Sequence, residues 1–153
     1  MKGLMKYAQG PGNLDVRDIP EPDVKPGCVK IAVKSAGICG TDLHIYAAEY
    51  PCRAPVVLGH EVAGIITEVG EGVSDVSVGD AVTAIPTIIV CGECRYCREG
   101  QLSLCPTRLS FGSGVHGAFT NYLVVPSWSI RKLPPHIDYA ACYDNPFIMP
   151  AHR

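Results

Sequence analysis

Hydrophobic positions fall in short runs cut at close intervals by glycine and proline, a pattern of strands and turns. Residues 2–8 (KGLMKYA) and 14–19 (LDVRDI) read as strands around a Gly10-Pro11-Gly12-Asn13 turn, and Pro20, Pro22 and Pro26 exclude a long helix after them. In 28–38, Val29, Ile31 and Val33 alternate with Lys30, Ala32 and Lys34, which predicts a half-buried strand. Thr41 or Asp42 is expected to cap a short helix that carries His44. An apolar run then meets Gly59-His60-Glu61 and returns as a strand over 63–69, and Gly70, Gly72 and Gly79 mark the way to another over 81–85. Residues 118–126 and 129–134 supply two more before Pro134 and Pro135 stop the pattern. The expected class is mainly β with short helices, a barrel or a sandwich.

Composition sharpens this in two ways. With 153 residues, 47% hydrophobic and 18% charged, the chain is expected to bury one core as one domain over 1–138, with an irregular end over 139–153. The formal net charge of -2 and the scattered lysines and arginines give no electrostatic footprint for nucleic acid. No apolar stretch is long enough to span a membrane and the N-terminus carries no apolar leader, so the expected home is the cytoplasm.

Eight cysteines bring in the chemistry. Cys91, Cys94, Cys97 and Cys105 are separated by two, two and seven residues, a spacing that suits convergence on one tetrahedral ion better than two disulfides. Four thiolates fill the shell of zinc and leave no place for water or substrate, so the lobe over 91–105 is expected to be structural and to depend on metal for its order. An iron–sulfur cluster is the rival occupant. Cys28, Cys52 and Cys142 stand alone and read as small hydrophobes, buried or partly buried, in place of reactive thiols.

A second constellation is dispersed. Cys39, His60 and Glu61 stand beside glycines and combine a thiol, an imidazole and a carboxylate, three donors that leave zinc an open fourth position. The spacing is equally compatible with core or surface residues. Thr41 can bond a substrate hydroxyl and pass its proton towards His44, or the two can be a helix cap and an exposed histidine. Gly112, Gly114 and Gly117 fit the dinucleotide fingerprint GxGxxG, with Asp138 downstream, but a strand follows them where the fingerprint needs a helix, so they are expected to make a turn. His116, His136 and His152 have no motif partner and read as surface or loop residues.

Together these segments resemble the zinc-containing medium-chain dehydrogenases, which include alcohol, sorbitol and threonine dehydrogenases. Gly59-His60-Glu61 with Gly64, Gly70 and Val73 fits that family's zinc signature. The clustered cysteines fit its structural lobe, and GICGTDLH fits as well, closest to the polyol and threonine branch. The resemblance covers about Lys2 to Pro135. It implies a GroES-like, partly open β-barrel with two zincs: Cys39, His60 and Glu61 on the catalytic one, Glu61 directly or from the next shell, and the four clustered cysteines on the structural one. It also implies Thr41 and His44 as a proton relay and an alcohol or polyol as substrate.

The family's NAD or NADP is held by a separate doubly wound domain, which is not expected in this chain, so turnover by this chain alone is not expected. Ala81 stands where the family often has arginine, and Asp144-Asn145-Pro146 is the nearest match to a further acidic zinc neighbour. The alternative function is a non-catalytic zinc-binding module that mediates interaction or homo-oligomerisation.

Overall fold

The computed structural model describes residues 1–139. Its elements, in order, are β1 (Lys2–Lys6), β2 (Leu14–Asp18), β3 (Cys28–Gly37), α1 (Gly40–Tyr46), β4 (Val56–Val57), β5 (Glu61–Val69), β6 (Ala81–Ala84), β7 (Thr87–Ile89), α2 (Arg95–Arg98), β8 (Leu109–Ser110), β9 (Tyr122–Pro126) and β10 (Ile130–Lys132). The expectation of a mainly β domain with short helices is met.

Five strands form one antiparallel sheet in the order β10-β6-β5-β3-β9, and β2-β1-β4 form a second. The register between β3 and β5 slips at Lys30/Ile31 and again at Val33/Ser35. Each slip adds twist and bends the ribbon, so the sheet curls into a half-barrel instead of lying flat. A bridge between Gly3 and Thr120, with the Leu4 N–H on the Phe119 carbonyl at 2.9 Å, joins the small sheet to the large one. Val29, Ile31, Val62, Ile66, Val82, Phe111, Leu123 and Val125 fill the enclosed space.

The long β3–β5 pairing needs Gly64. A Cβ there would lie 2.3 Å from the Ala32 carbonyl oxygen and 2.6 Å from the Ile31 side chain, so only glycine lets the two strands close.

Several expectations need correction. Lys30, on the face opposite Val29 and Ile31, is itself buried, its ammonium held by Glu68 and, at 3.0 Å, by Glu21. Period two alone does not show that a lysine on the second face finds two carboxylates. The cap of α1 is Cys39, with Asp42 reaching back from the third helical position. The first strand stops at Lys6 and the strand expected from 118 begins at Tyr122. The short pair β7–β8 and the one-turn α2 were not foreseen, because a few residues carry no period.

Cys28 and Cys52 are half-buried. Gly112 to Gly117 form a turn, as expected, and His136 is exposed in a turn. His116 is exposed, but its Nδ1 accepts the Val57 N–H at 3.1 Å. Cys142, Asp144-Asn145-Pro146, His152 and nearly all of the expected irregular end lie outside the described residues.

The substitution Gly64→Val should destabilise the domain by about 2–3 kcal/mol, because β3 and β5 cannot separate locally without breaking their ladder. Urea denaturation measures this, and an unchanged midpoint would contradict the packing described.

Candidate metal centres

The lobe between β7 and β8 has almost no core of its own, since Cys105 is the one fully buried residue between 90 and 108. What orders it is a net of contacts around sulfur. Cys94 caps α2 and its Sγ accepts the Cys97 N–H, the Cys91 Sγ accepts the Cys94 N–H at 3.3 Å, and the Cys105 Sγ accepts the Cys91 N–H at 3.5 Å. The sulfurs lie 3.5 Å apart for Cys94 and Cys97, 3.7 Å for Cys91 and Cys105, and 3.8 Å for Cys91 and Cys97. Four sulfurs at about 2.3 Å from one tetrahedral zinc stand about 3.8 Å from each other, so the thiols fit a single ion. A multi-iron cluster holds its thiolates on separate irons and spreads them further.

Without metal the four thiols share their protons unequally. The Cys91 N–H and the Thr107 hydroxyl bring Cys105 down to about 6, whereas lost hydration and the neighbouring thiols push Cys97 up to about 12. Metal uptake must displace the proton from Cys97, so affinity falls as pH falls.

The dispersed constellation is assembled by the sheet. β3 ends at Gly37, which pairs with Glu61 at the start of β5, and the chain leaves both strands on the same side. This register brings Cys39, His60 and Glu61 together, with one donor atom from each within 4.8 Å of the others. Cys39 sits at the N-terminus of α1, where the Thr41 N–H lowers the thiol below its ordinary range, and the Thr41 hydroxyl lies 3.8 Å from its sulfur. Thr41 is half-buried and faces this cluster. His44 is 62% exposed in its side chain and bonds Glu49 at 2.7 Å, pointing away into solvent.

Asp42, read from the sequence only as a possible cap, is the residue whose part was missed. Its side chain is 4% exposed, and one oxygen accepts the Cys39 N–H at 2.9 Å while the other accepts the Gly59 N–H at 3.3 Å and stands 3.6 Å from His60 Nδ1. Burial would raise its pKa, but His60 and the two N–H groups outweigh it and hold Asp42 below the usual carboxylate range. In return the Asp42 carboxylate raises His60 to about 9 and fixes which ring nitrogen it faces, leaving Nε2 for the open side of the cluster. The signal available in the sequence was an acid three residues after the cysteine, beside a Gly-His pair.

The glycine turn that imitates a dinucleotide fingerprint backs this site. A Cβ on Gly117 would lie 2.2 Å from the Gly59 carbonyl oxygen, and one on Gly112 would lie 2.6 Å from that oxygen and 3.2 Å from the Cβ of His60. The turn presses on the Gly59-His60 backbone and fixes the imidazole from behind.

A curled half-barrel that holds a thiol, an imidazole and a carboxylate at its opening and a four-thiol lobe beside it is the architecture of a GroES-like catalytic domain. The sequence profile of the alcohol dehydrogenase GroES-like domain matches residues 25–135. The chain belongs to that family. It is 44% identical over 138 residues to a sorbitol dehydrogenase of Halalkalibacterium halodurans, a match covering 90% of this chain and 40% of that protein. It is 41% identical over 150 residues to an L-threonine 3-dehydrogenase of Streptomyces avermitilis, covering 94% and 43% respectively. A solved zinc-binding dehydrogenase from Sinorhizobium meliloti 1021, bound to NADP, superposes with a TM-score of 0.83 at 34% identity, over 91% of this chain and 40% of that one. The chain thus spans about 40% of the length of the relatives it matches. Among the described residues no helix is long and apolar enough to cross a membrane.

Asp42→Asn keeps the shape and removes the charge that raises His60. In the metal-free wild type the folded-state pKa of His60 lies above its ordinary 6.5, so the stability gained is fully present below about pH 6.5 and is lost as pH rises through about 9. The Asp42→Asn variant should remove most of that loss, which is on the order of 2–3 kcal/mol, and bring His60 back towards 6.5, with Cys39 holding the remainder. NMR titration of the imidazole protons reads the shift, and an unmoved His60 would show that Asp42 is not its partner.

Proposed function

We propose that this chain is the zinc-binding catalytic domain of an NAD(P)-dependent dehydrogenase that acts on the CH–OH group of an alcohol or polyol. The convergence of Cys39, His60 and Glu61, with Asp42 behind the imidazole, carries the reading, and the names of the relatives support it. Cys39 and His60 hold the catalytic zinc, and Glu61 lies close enough to join them or to exchange with an incoming ligand. The four lobe cysteines hold a second, structural zinc.

When bound at Cys39 and His60, zinc supplies Lewis acidity towards the oxygen of the substrate. The remaining tasks fall to the chain. Thr41 is placed to take a hydrogen bond from the substrate hydroxyl and to orient it beside Cys39. The helix N-terminus favours the metal-binding thiolate of Cys39, and Asp42 orients the His60 ring through Nδ1, whose raised pKa means that metal must displace a proton from the imidazole. His44, exposed and bonded to Glu49, receives the released proton at the surface and hands it to solvent. Hydride acceptance by a nicotinamide belongs to a part of the family's architecture that these residues do not form.

A non-catalytic zinc module remains the second reading, favoured by the apolar side chains exposed around α1, with Ile38 at 74% and Leu43 at 63%.

Elemental analysis of the purified chain should give two zincs, with one lost in Cys39→Ala and the other lost in Cys97→Ala, together with order in the lobe. A single zinc, unaffected by Cys39→Ala, would leave only the module reading. Cobalt(II) in place of zinc adds a test of chemistry: a small alcohol should shift the visible bands of the Cys39 site and leave those of the lobe unchanged, because only the first has an open position. Bands insensitive to alcohol at both sites count against the dehydrogenase reading.

A further inference from the structure

Cys39 and His60 reach the metal centre from different elements, so their separation has to be fixed by whatever packs between those elements. Cys39 caps α1, and His60 follows Gly59 at the entry to β5. Gly59, with a φ of 88°, is held at both of its backbone polar groups, its N–H on Asp42 at 3.3 Å and its carbonyl on the Ala118 N–H at 2.9 Å. Its α-carbon is backed by a third group, the ring of Phe119. A Cβ on Gly59 would lie 2.6, 2.8 and 2.9 Å from three carbons of that ring, so the ring fills the space that a side chain would take.

The same side chain reaches the element of the other ligand. Phe119 packs against the buried cluster of Ile45, Val56 and Leu58. Ile45 is 1% exposed and lies one turn after Thr41 on the same face of α1, the helix that places Cys39. The backbone of Phe119 is itself anchored: its N–H donates to the Leu58 carbonyl at 2.9 Å, and its carbonyl accepts the Leu4 N–H at 2.9 Å. One flat side chain on a fixed backbone thereby ties Gly59 to the cluster that seats α1.

We infer that Phe119 is a positioning residue of the Cys39–His60–Glu61 centre: its ring sets the separation between the helix that starts from Cys39 and the turn that carries His60. The ring brings no charge and no hydrogen bond to this task, so its shape is the determinant. Close-packed interiors transmit the loss of even a methylene, and a ligand set tolerates only small displacements before its geometry fails. A narrower side chain at 119 leaves Gly59 unbacked and lets the Gly59-His60 backbone move relative to α1. The inference rests on the reading of the three-donor cluster as a metal centre.

Cobalt(II) titration of the 153-residue chain, with zinc kept in the four-thiol lobe and the visible bands of the Cys39 site followed, provides the test. Phe119→Leu should weaken cobalt at that site by about tenfold or more and shift its bands, with the zinc content of the lobe unchanged. Phe119→Tyr, which keeps the ring, should retain the wild-type affinity and bands. Val125→Ala trims a fully buried side chain of β9 in the main core; it should lower the urea midpoint and leave affinity and bands alone. If Phe119→Leu does not fold, Phe119→Met, closer to the ring in volume but not in shape, carries the same comparison. Wild-type affinity and bands in the Phe119→Leu or Phe119→Met chain, or an equal loss of cobalt in Val125→Ala, would overturn the inference and leave the metal-centre reading standing. A wild-type chain that takes up no cobalt at Cys39 would sink both.

Discussion

A carboxylate nearly sealed from water must find donors, because an isolated buried charge costs far more than a folded domain has to spare. Asp42 finds them in three separate pieces of backbone and side chain: the Cys39 N–H at the end of β3, the Gly59 N–H before β5, and the imidazole of His60. Those three groups approach one another only when β3 and β5 are paired and α1 starts where it does. The thiol and the imidazole that face the same space are placed by the same requirement, so the geometry of the site and the satisfaction of one buried charge are a single constraint. A substitution at Asp42 therefore acts on both.

The other end of α1 is fixed with comparable care. Lys6 is buried at the end of β1, and its ammonium bonds the Gly10 carbonyl, the Gly12 carbonyl at 2.5 Å and the Tyr46 carbonyl at 3.4 Å. Tyr46 closes the helix, where unpaired carbonyls and the helix dipole favour a cation. A seven-residue helix is too short to persist by itself. Tied by Asp42 at its start and by Lys6 at its end, it holds Cys39 and Thr41 as firmly as a strand would. The four-thiol lobe has no apolar core of its own, and the thiol geometry fits one ion, for which metal–sulfur bonding in small zinc peptides is worth roughly 10–16 kcal/mol, rivalling the net stability of a whole domain.

How much of this was legible in the sequence depends on the distance over which each signal acts. The four cysteines were legible because their spacing is local, and the long strands because alternation is local too. Cys39 and His60 became a pair only through the resemblance to a family, since nothing in their spacing states that Gly37 and Glu61 share a register. Asp42 and Lys30 were misread for the same reason in opposite senses. Asp42 was read only as a possible cap and Lys30 as the polar side of an alternating strand, and each is buried by partners distant in the sequence, Gly59 and His60 for one, Glu68 for the other. The one-turn α2 and the strands β7 and β8 are too short to have a period at all.

The turn at Gly112, Gly114 and Gly117 shows how the same residues support a wrong inference and a right one. As a motif they imitate a phosphate-binding loop, and the absence of a following helix removes that reading. The physical demand behind the imitation is nonetheless the same, since glycine is needed wherever another backbone comes too close for a side chain. Here the approaching backbone is that of Gly59, and the turn braces the imidazole instead of cradling a cofactor. A side chain introduced at Gly112 or Gly117 would therefore push on the Gly59-His60 backbone and carry the imidazole with it.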